Sequence, residues 1–147
     1  MRILGLDPGE KRIGVALSDP LGITAQGIGV IEYTGQEEAL QKVRQLCLAY
    51  AVEKIVVGLP LNMNGQRGPA AQDAAIFGDR LHDLLQVPVV LVDERLTSAS
   101  AEKMLISGGV SRRKRKAVRD KLAAVLILEI YLNTTNNNDQ RGVNIGI

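Results

Sequence analysis

Three acidic residues stand where apolar runs give way to polar sequence. Asp7 ends Ile3-Leu4-Gly5-Leu6, Glu94 follows Val89-Val90-Leu91-Val92-Asp93, and Asp120 precedes the stretch Leu122 to Leu128. If a fold gathers these carboxylates they repel one another, and one retains a proton unless a cation joins them. Mg²⁺ or Mn²⁺ suits such a set, because a small hard ion keeps several waters and takes only one or two protein carboxylates alongside phosphate oxygens. Two ions about 3.5–4 Å apart serve both the attacking and the leaving oxygen of a displacement at phosphorus. The chemistry suggested is metal-assisted hydrolysis of a phosphodiester. Each acid also has a plainer reading: Asp7 as the start of a turn before Pro8-Gly9, Glu94 as a partner of Arg95 or another surface cation, and Asp120 as a charge complementing a helix dipole. Asp93 is left outside the triad, as an auxiliary ligand or simply the last residue of a strand.

The charge distribution points the same way. Of the 18 Lys and Arg and the 16 Asp and Glu, eight basic residues and one acid fall between Lys103 and Lys121, a local charge of +7. The rest of the chain carries −5, so one end of the molecule is suited to a polyanion. The run Arg112-Arg113-Lys114-Arg115-Lys116 is too dense for one helical face and leads directly into the segment bearing Asp120, where it would deliver a phosphate backbone to the acids. Further contacts are expected from Lys11 and Arg12, whose plainer reading is that they only flank the first hairpin, from Arg95, and from Asn62, Asn64 and Arg67 in the loop Pro60 to Pro69. That loop has no P-loop sequence, and its plainer reading is a connector. Aromatic residues make up 3% of the chain, which argues against base stacking and for recognition of backbone or shape.

The elements that must position these residues are legible from periodicity. Residues 2 to 7 read as a buried strand, Asp7-Pro8-Gly9-Glu10 as a type II turn, and 12 to 18 as a half-exposed strand with alternating Ile13, Val15 and Leu17. After the turn Asp19-Pro20-Leu21-Gly22, residues 23 to 33 are predicted as a third strand. Ala39, Val43, Leu46 and Tyr50 mark a helix over 36–50, and Lys54 to Gly58 a buried strand. Pro69 opens a second helix with Ala70, Ala74, Phe77, Leu81 and Leu84 on one face, and Pro88 opens a strand over 88–92. Thr97 or Ser98 is expected to cap a helix ending near Ser107, and Ser111 to cap a long last helix reaching about Leu132. The Asn-rich remainder lacks periodicity, so the domain is drawn at 1–133 with a disordered tail over 134–147. The order is a β-meander followed by strand–helix alternation: an α/β fold with a mixed five-stranded sheet and helices on both faces. Ligands of such sheets sit beyond the carboxyl ends of strands, the edge occupied by Asp7, Gly58-Leu59-Pro60 and Asp93-Glu94.

At 147 residues and 46% hydrophobic content, the chain is expected to form one domain around one core. Cys47 has no internal partner, the start reaches Asp7 too soon for a signal-peptide core, and no apolar run approaches the length of a bilayer span, so a cytoplasmic location is expected, with no membrane association. His82 and Cys47 are assigned no chemistry, reading as a boundary residue and a packed thiol.

Four segments in order carry a family resemblance. Gly5-Leu6-Asp7-Pro8-Gly9-Glu10-Lys11-Arg12-Ile13-Gly14-Val15-Ala16, Gly58-Leu59-Pro60-Leu61-Asn62-Met63-Asn64-Gly65, Asp93-Glu94-Arg95-Leu96-Thr97-Ser98, and Asp120-Lys121-Leu122-Ala123-Ala124 with Ile127 to Leu132 resemble the YqgF family. Its members are bacterial pre-16S rRNA nucleases, also described as Holliday-junction-resolvase-like, with an RNase H-like fold. The resemblance spans about residues 3 to 132 and departs from the family in Pro8 of the first turn. It implies that Asp7, Glu94 and Asp120 match the catalytic acids, that hydrolysis leaves a 5′-phosphate and a 3′-hydroxyl, and that the substrate is structured precursor rRNA, free or on ribosomal particles. Competing readings are a resolvase of branched DNA, which requires a homodimer rather than a monomer, a sugar-kinase or actin-like ATPase suggested by the first hairpin, and a nucleic-acid-binding factor without cleavage.

Overall fold

The computed structural model describes residues 1–96 and 112–137. Five strands form one sheet: β1 (Arg2–Pro8), β2 (Arg12–Ser18), β3 (Ala25–Glu32), β4 (Val52–Leu59) and β5 (Val89–Asp93), in the spatial order β3-β2-β1-β4-β5. The first three strands form an antiparallel meander, while β4 runs parallel to β1 and β5 parallel to β4. Helices α1 (Gln36–Tyr50) and α2 (Pro69–Leu85) provide the crossovers, and α3 (Arg112–Asn137) follows a short 3₁₀ turn at Glu94–Leu96 and the undescribed segment 97–111. The mixed sheet with helices on both faces is the architecture expected from the sequence.

Strand parity separates two cores. Leu4, Leu6, Ile13, Val15, Leu17, Ile55 and Val57 pack with Leu40 and Val43 of α1 and Phe77 and Leu81 of α2. Ile3, Ala16, Val56 and Val92 face the other way, against Ala124, Ile127, Leu128, Tyr131 and Leu132 of α3. Alternation therefore puts Gly5, Asp7, Gly14 and Gly58 on the α3 face. Because α3 covers that face, β2 is buried on both sides, where its alternating pattern suggested exposure of one.

Glycines let α3 come close. A β-carbon on Gly14 would lie 1.8 Å from the Asp120 carbonyl oxygen, and one on Gly5 would lie 2.9 Å from Leu128 Cβ. At its distal end α3 is held by Lys54, whose Nζ donates to the Tyr131 hydroxyl at 2.8 Å and stands 5.4 Å from the ring centroid.

Several boundaries differ from expectation. The first turn is not type II, because Pro8 still pairs with Ile13 and the reversal falls later, with Gly9 N–H donating to the Arg12 carbonyl at 2.9 Å; Gly9 also lacks the positive φ that turn requires. The turn at Asp19 forms as expected: Gly22, at φ +70°, donates to the Asp19 carbonyl, and the Asp19 carboxylate accepts from the backbone of Leu21, Ile23 and Thr24. Those bonds hold Asp19 below the usual carboxylate range. On α2 the inward stripe is Ala71, Ala74, Phe77, Gly78 and Leu81, leaving Ala70 and Leu84 exposed. Helix α3 continues past Leu132 to Asn137, so residues 134–137, expected in the tail, are helical, and the Thr134 hydroxyl donates back to the Ile130 carbonyl. The expected helix from Thr97 or Ser98 to Ser107, the Ser111 cap and residues 138–147 lie outside the described residues.

Candidate active site

The first acid is placed by a ladder pair. Asp7 is the partner of Gly14 across the β1–β2 hairpin, and α3 lies directly over Gly14 at Asp120. Two carboxylates 113 residues apart in sequence are thereby brought to one end of the sheet. Their proximity shows in the ionisation of Asp7. Burial, and secondarily the charge of Asp120, push its carboxyl up to about 7, against a smaller opposing pull from Arg119. Asp120 sits in the third turn of α3, too deep for the helix-dipole role considered from sequence. It is flanked by Arg12, whose Nε lies 3.6 Å from Asp120 Oδ2.

Glu94 arrives from the far side. One residue beyond the Leu6–Val57 pair, Asp7 stands beside Gly58, and a β-carbon on Gly58 would meet Glu94 Cγ at 2.8 Å and Cδ at 2.9 Å. Glu94 is 7% exposed and shares the space over Gly58 with Ile127 of α3. The three acids therefore lie on the α3 face at the carboxyl edge of β1, β4 and β5. Among the described residues no group of three His, Cys, Asp or Glu side chains could hold a metal ion. The close unit is the Asp7–Asp120 pair, with Glu94 beside it across Gly58. A hard divalent ion fits this donor set: the oxygens are all carboxylate, one or two suffice for Mg²⁺, and a cation offsets both the burial and the Asp120 charge that raise the Asp7 carboxyl.

Asp93 points to the opposite face and is engaged by Arg95. Asp93 Oδ1 accepts from the Arg95 backbone N–H at 2.9 Å and from Nε at 3.1 Å, and Oδ2 accepts from Nε at 2.9 Å and Nη2 at 2.6 Å. The pair holds Asp93 low, mainly through the Arg95 side-chain bonds. Of the plainer partners considered for Glu94, Arg95 turns its guanidinium to Asp93 instead.

A groove of about 880 Å³ leads from Asp7 and Asp120 past Lys11 and Arg12 to Tyr33 and Lys42. Tyr33 and Lys42 are site residues that sequence reasoning missed. Tyr33 braces the hairpin by donating its hydroxyl to the Gly9 carbonyl, and Lys42 Nζ donates to the Glu32 carbonyl at 2.7 Å while pairing with Glu38 at 3.0 Å. The bonds to Gly9 and Glu32 have no local sequence signal, since both join residues distant in the chain. The loop after β4 is a hydrogen-bonded turn: Asn62 N–H donates to Gln66 O, Gly65 N–H to Asn62 O, and Gln66 N–H to Asn64 Oδ1. Asn64 is thus used within the loop, whereas Arg67 is exposed at its end. The backbone of Arg112 to Lys116 forms the start of α3, and the side chains of Arg112, Arg113, Lys114, Arg115 and Lys116 lie outside the described residues. His82 bridges the end of α2 through Nδ1 and the Val87 carbonyl at 2.8 Å, and Cys47 is buried, its thiol pushed up to about 11.

The chain is similar to known proteins over most of its length. The model of a family described as RuvX, Holliday junction resolvase, matches residues 1–134. A relative from Listeria innocua, named as a pre-16S rRNA nuclease, is 54% identical over 138 residues, covering 92% of this chain and all of the relative. One of the same name from Bacillus licheniformis is 52% identical over 139 residues, covering 93% and 100%. Among solved structures, RuvC of Thermus thermophilus in complex with a Holliday junction substrate superposes with a TM-score of 0.60 at 14% identity, covering 94% of this chain and 97% of that one. The fowlpox virus resolvase with its Holliday junction DNA gives 0.55 at 12% identity, covering 91% and 98%. These structures share the RNase H-like fold.

Proposed function

Because the chain belongs to the RuvX family of Holliday-junction-resolvase-like nucleases, we propose that it hydrolyses phosphodiester bonds at the edge bearing Asp7, Glu94 and Asp120, and that its substrate is the precursor of 16S rRNA, trimmed in the cytoplasm during ribosome assembly. The observation that supports this reading is that Asp7, paired with Gly14 beneath the Asp120 backbone, feels the Asp120 charge and lines the same groove. Asp7 and Asp120, with Glu94 beside them, would hold Mg²⁺ or Mn²⁺. A bound ion of this kind supplies a nucleophilic water and neutralises charge developing on the phosphate.

The chain's own residues do the rest. Asp7 must lose its proton to act as a ligand, and its raised pKa places that loss near neutrality. Arg12 stands against Asp120 and offers a guanidinium to the same groove. Lys11, Arg12, Asn62, Asn64, Arg67, Arg95 and the run Arg112 to Lys116 make up the nucleic-acid-binding set, with the basic run leading the backbone toward Asp120. No helix among the described residues is long and apolar enough to cross a membrane.

The test is a purified-protein assay on precursor rRNA and on four-way DNA junctions, with Mg²⁺, Mn²⁺ and EDTA. Cleavage of the RNA that EDTA abolishes is expected. Preference for the junction by a homodimer would transfer the reading to branched DNA, and salt-sensitive binding without any cutting would make the chain a binding factor.

A further inference from the structure

We propose that Arg95 is a preset clamp for the phosphate neighbouring the scissile one, and that Asp93 is the positioning residue that sets it. The proposal rests on the nuclease reading above and adds a fixed subsite to it. Parity supplies the geometry: Asp93 and Glu94 are consecutive, so while Glu94 turns to the α3 face over Gly58, Asp93 turns away and takes hold of the next side chain.

The grip is bidentate and uses one edge of the guanidinium, Nε and Nη2, against both carboxylate oxygens. The Asp93 side chain is 6% exposed and that of Arg95 is 37% exposed, so a buried anion holds a cation that still reaches solvent. Ordinary surface ion pairs contribute little to stability. A buried carboxylate committed through both oxygens does something else: it removes the rotamer freedom of a long side chain before a ligand arrives. The remaining edge, Nη1 with the second proton of Nη2, has the forked spacing that matches two oxygens of a phosphate.

The β4–α2 loop approaches that edge at one residue. Arg95 Nη1 lies 3.4 Å from where a β-carbon of Gly65 would stand, and Gly65 has φ +84°. A side chain there is strained in the backbone and crowds the guanidinium. The clamp thus lies beside Gly65 of the loop Asn62–Gln66 and one residue along the chain from Glu94.

Binding of a fluorescein-labelled RNA oligonucleotide, followed by anisotropy across a KCl series in an Asp7→Asn background, tests the clamp apart from cleavage. Arg95→Ala is expected to weaken binding about tenfold and to lower the log–log salt slope by about 0.7, the value for one phosphate on a single strand. Arg95→Lys is expected to keep the slope, yet in the active enzyme to raise KM about tenfold with kcat little changed, because it keeps the charge and loses the fork. Asp93→Asn is expected to follow Arg95→Lys, and if it does not fold the two Arg95 variants carry the test. An unchanged slope and KM in Arg95→Ala, with cleavage still abolished by Asp7→Asn, would overturn the clamp and leave the nuclease standing. An unsubstituted chain that neither binds nor cuts RNA would overturn both.

Discussion

At the residue scale, the acids are distinguished by surroundings rather than by type. Asp7 is buried beside Asp120 and its carboxyl is raised to about 7, whereas Asp93 is held low by Arg95 and Asp19 by backbone N–H groups. For Asp7 the sign follows from linkage: the folded state keeps a proton that the unfolded state has released, so metal-free stability falls as pH rises from about 3.8 to about 7 and is level above. At about 1.4 kcal/mol per unit, this ionisation costs at most roughly 4 kcal/mol. Asp7→Asn is therefore expected to melt higher than the unsubstituted protein in EDTA at pH 8, with the gap closing toward pH 4. Thermal unfolding at the two pH values checks it, and a gap that widens on acidification would refute the assignment. None of this ranking is visible in sequence, where Asp7, Asp93 and Glu94 all stand at the ends of apolar runs. Their roles separate only when strand parity sends Asp93 to one face and Glu94 to the other.

At the element scale, α1 is legible to its ends because Ala39, Val43 and Leu46 recur at helical spacing and Gln36 to Tyr50 is free of Gly and Pro. The first turn departs from its Pro-Gly signature because Pro8 stays in register with Ile13, so the strand runs on past the expected reversal. The glycines under α3 carry no readable signal, since Gly5, Gly14 and Gly58 acquire meaning only from cross-strand register and the helix laid across them. Their role gives a sharp expectation. Gly14→Ala puts a methyl group into the Asp120 carbonyl, so α3 must lift; a loss of about 1–3 kcal/mol or more is expected, together with most of the activity. Tyr131→Phe, at the far end of the same helix, removes only the Lys54 hydrogen bond and is expected to cost about 1 kcal/mol with kcat unchanged. Denaturant unfolding and turnover measured together separate the two, and a Tyr131→Phe enzyme as inactive as Gly14→Ala would show that the helix transmits its position along its whole length.

At the scale of the whole molecule, a near-neutral total conceals a basic segment leading into an acidic edge. A charge of +7 between Lys103 and Lys121 suits a polyanion, and on the proposed function this segment would lead a phosphate backbone toward acids that a cation neutralises. Neutralising Arg112 to Lys116 is expected to weaken RNA binding and to reduce its salt slope by roughly 0.7–0.9 for each phosphate the run no longer neutralises, and an unchanged slope would mean that this run faces elsewhere. The fold and the acidic edge are readable from apolar runs and their ends, but the groove past Tyr33 and Lys42 is made by distant segments meeting and is not. The most direct measurement is single-turnover cleavage of precursor rRNA with Mg²⁺ by the unsubstituted protein, Asp7→Asn and Asp120→Asn, with RNA affinity determined in parallel. Cutting is expected to vanish in both variants while affinity stays within a few-fold; undiminished cutting by either one would contradict the assignment of the chemistry to this edge of the sheet.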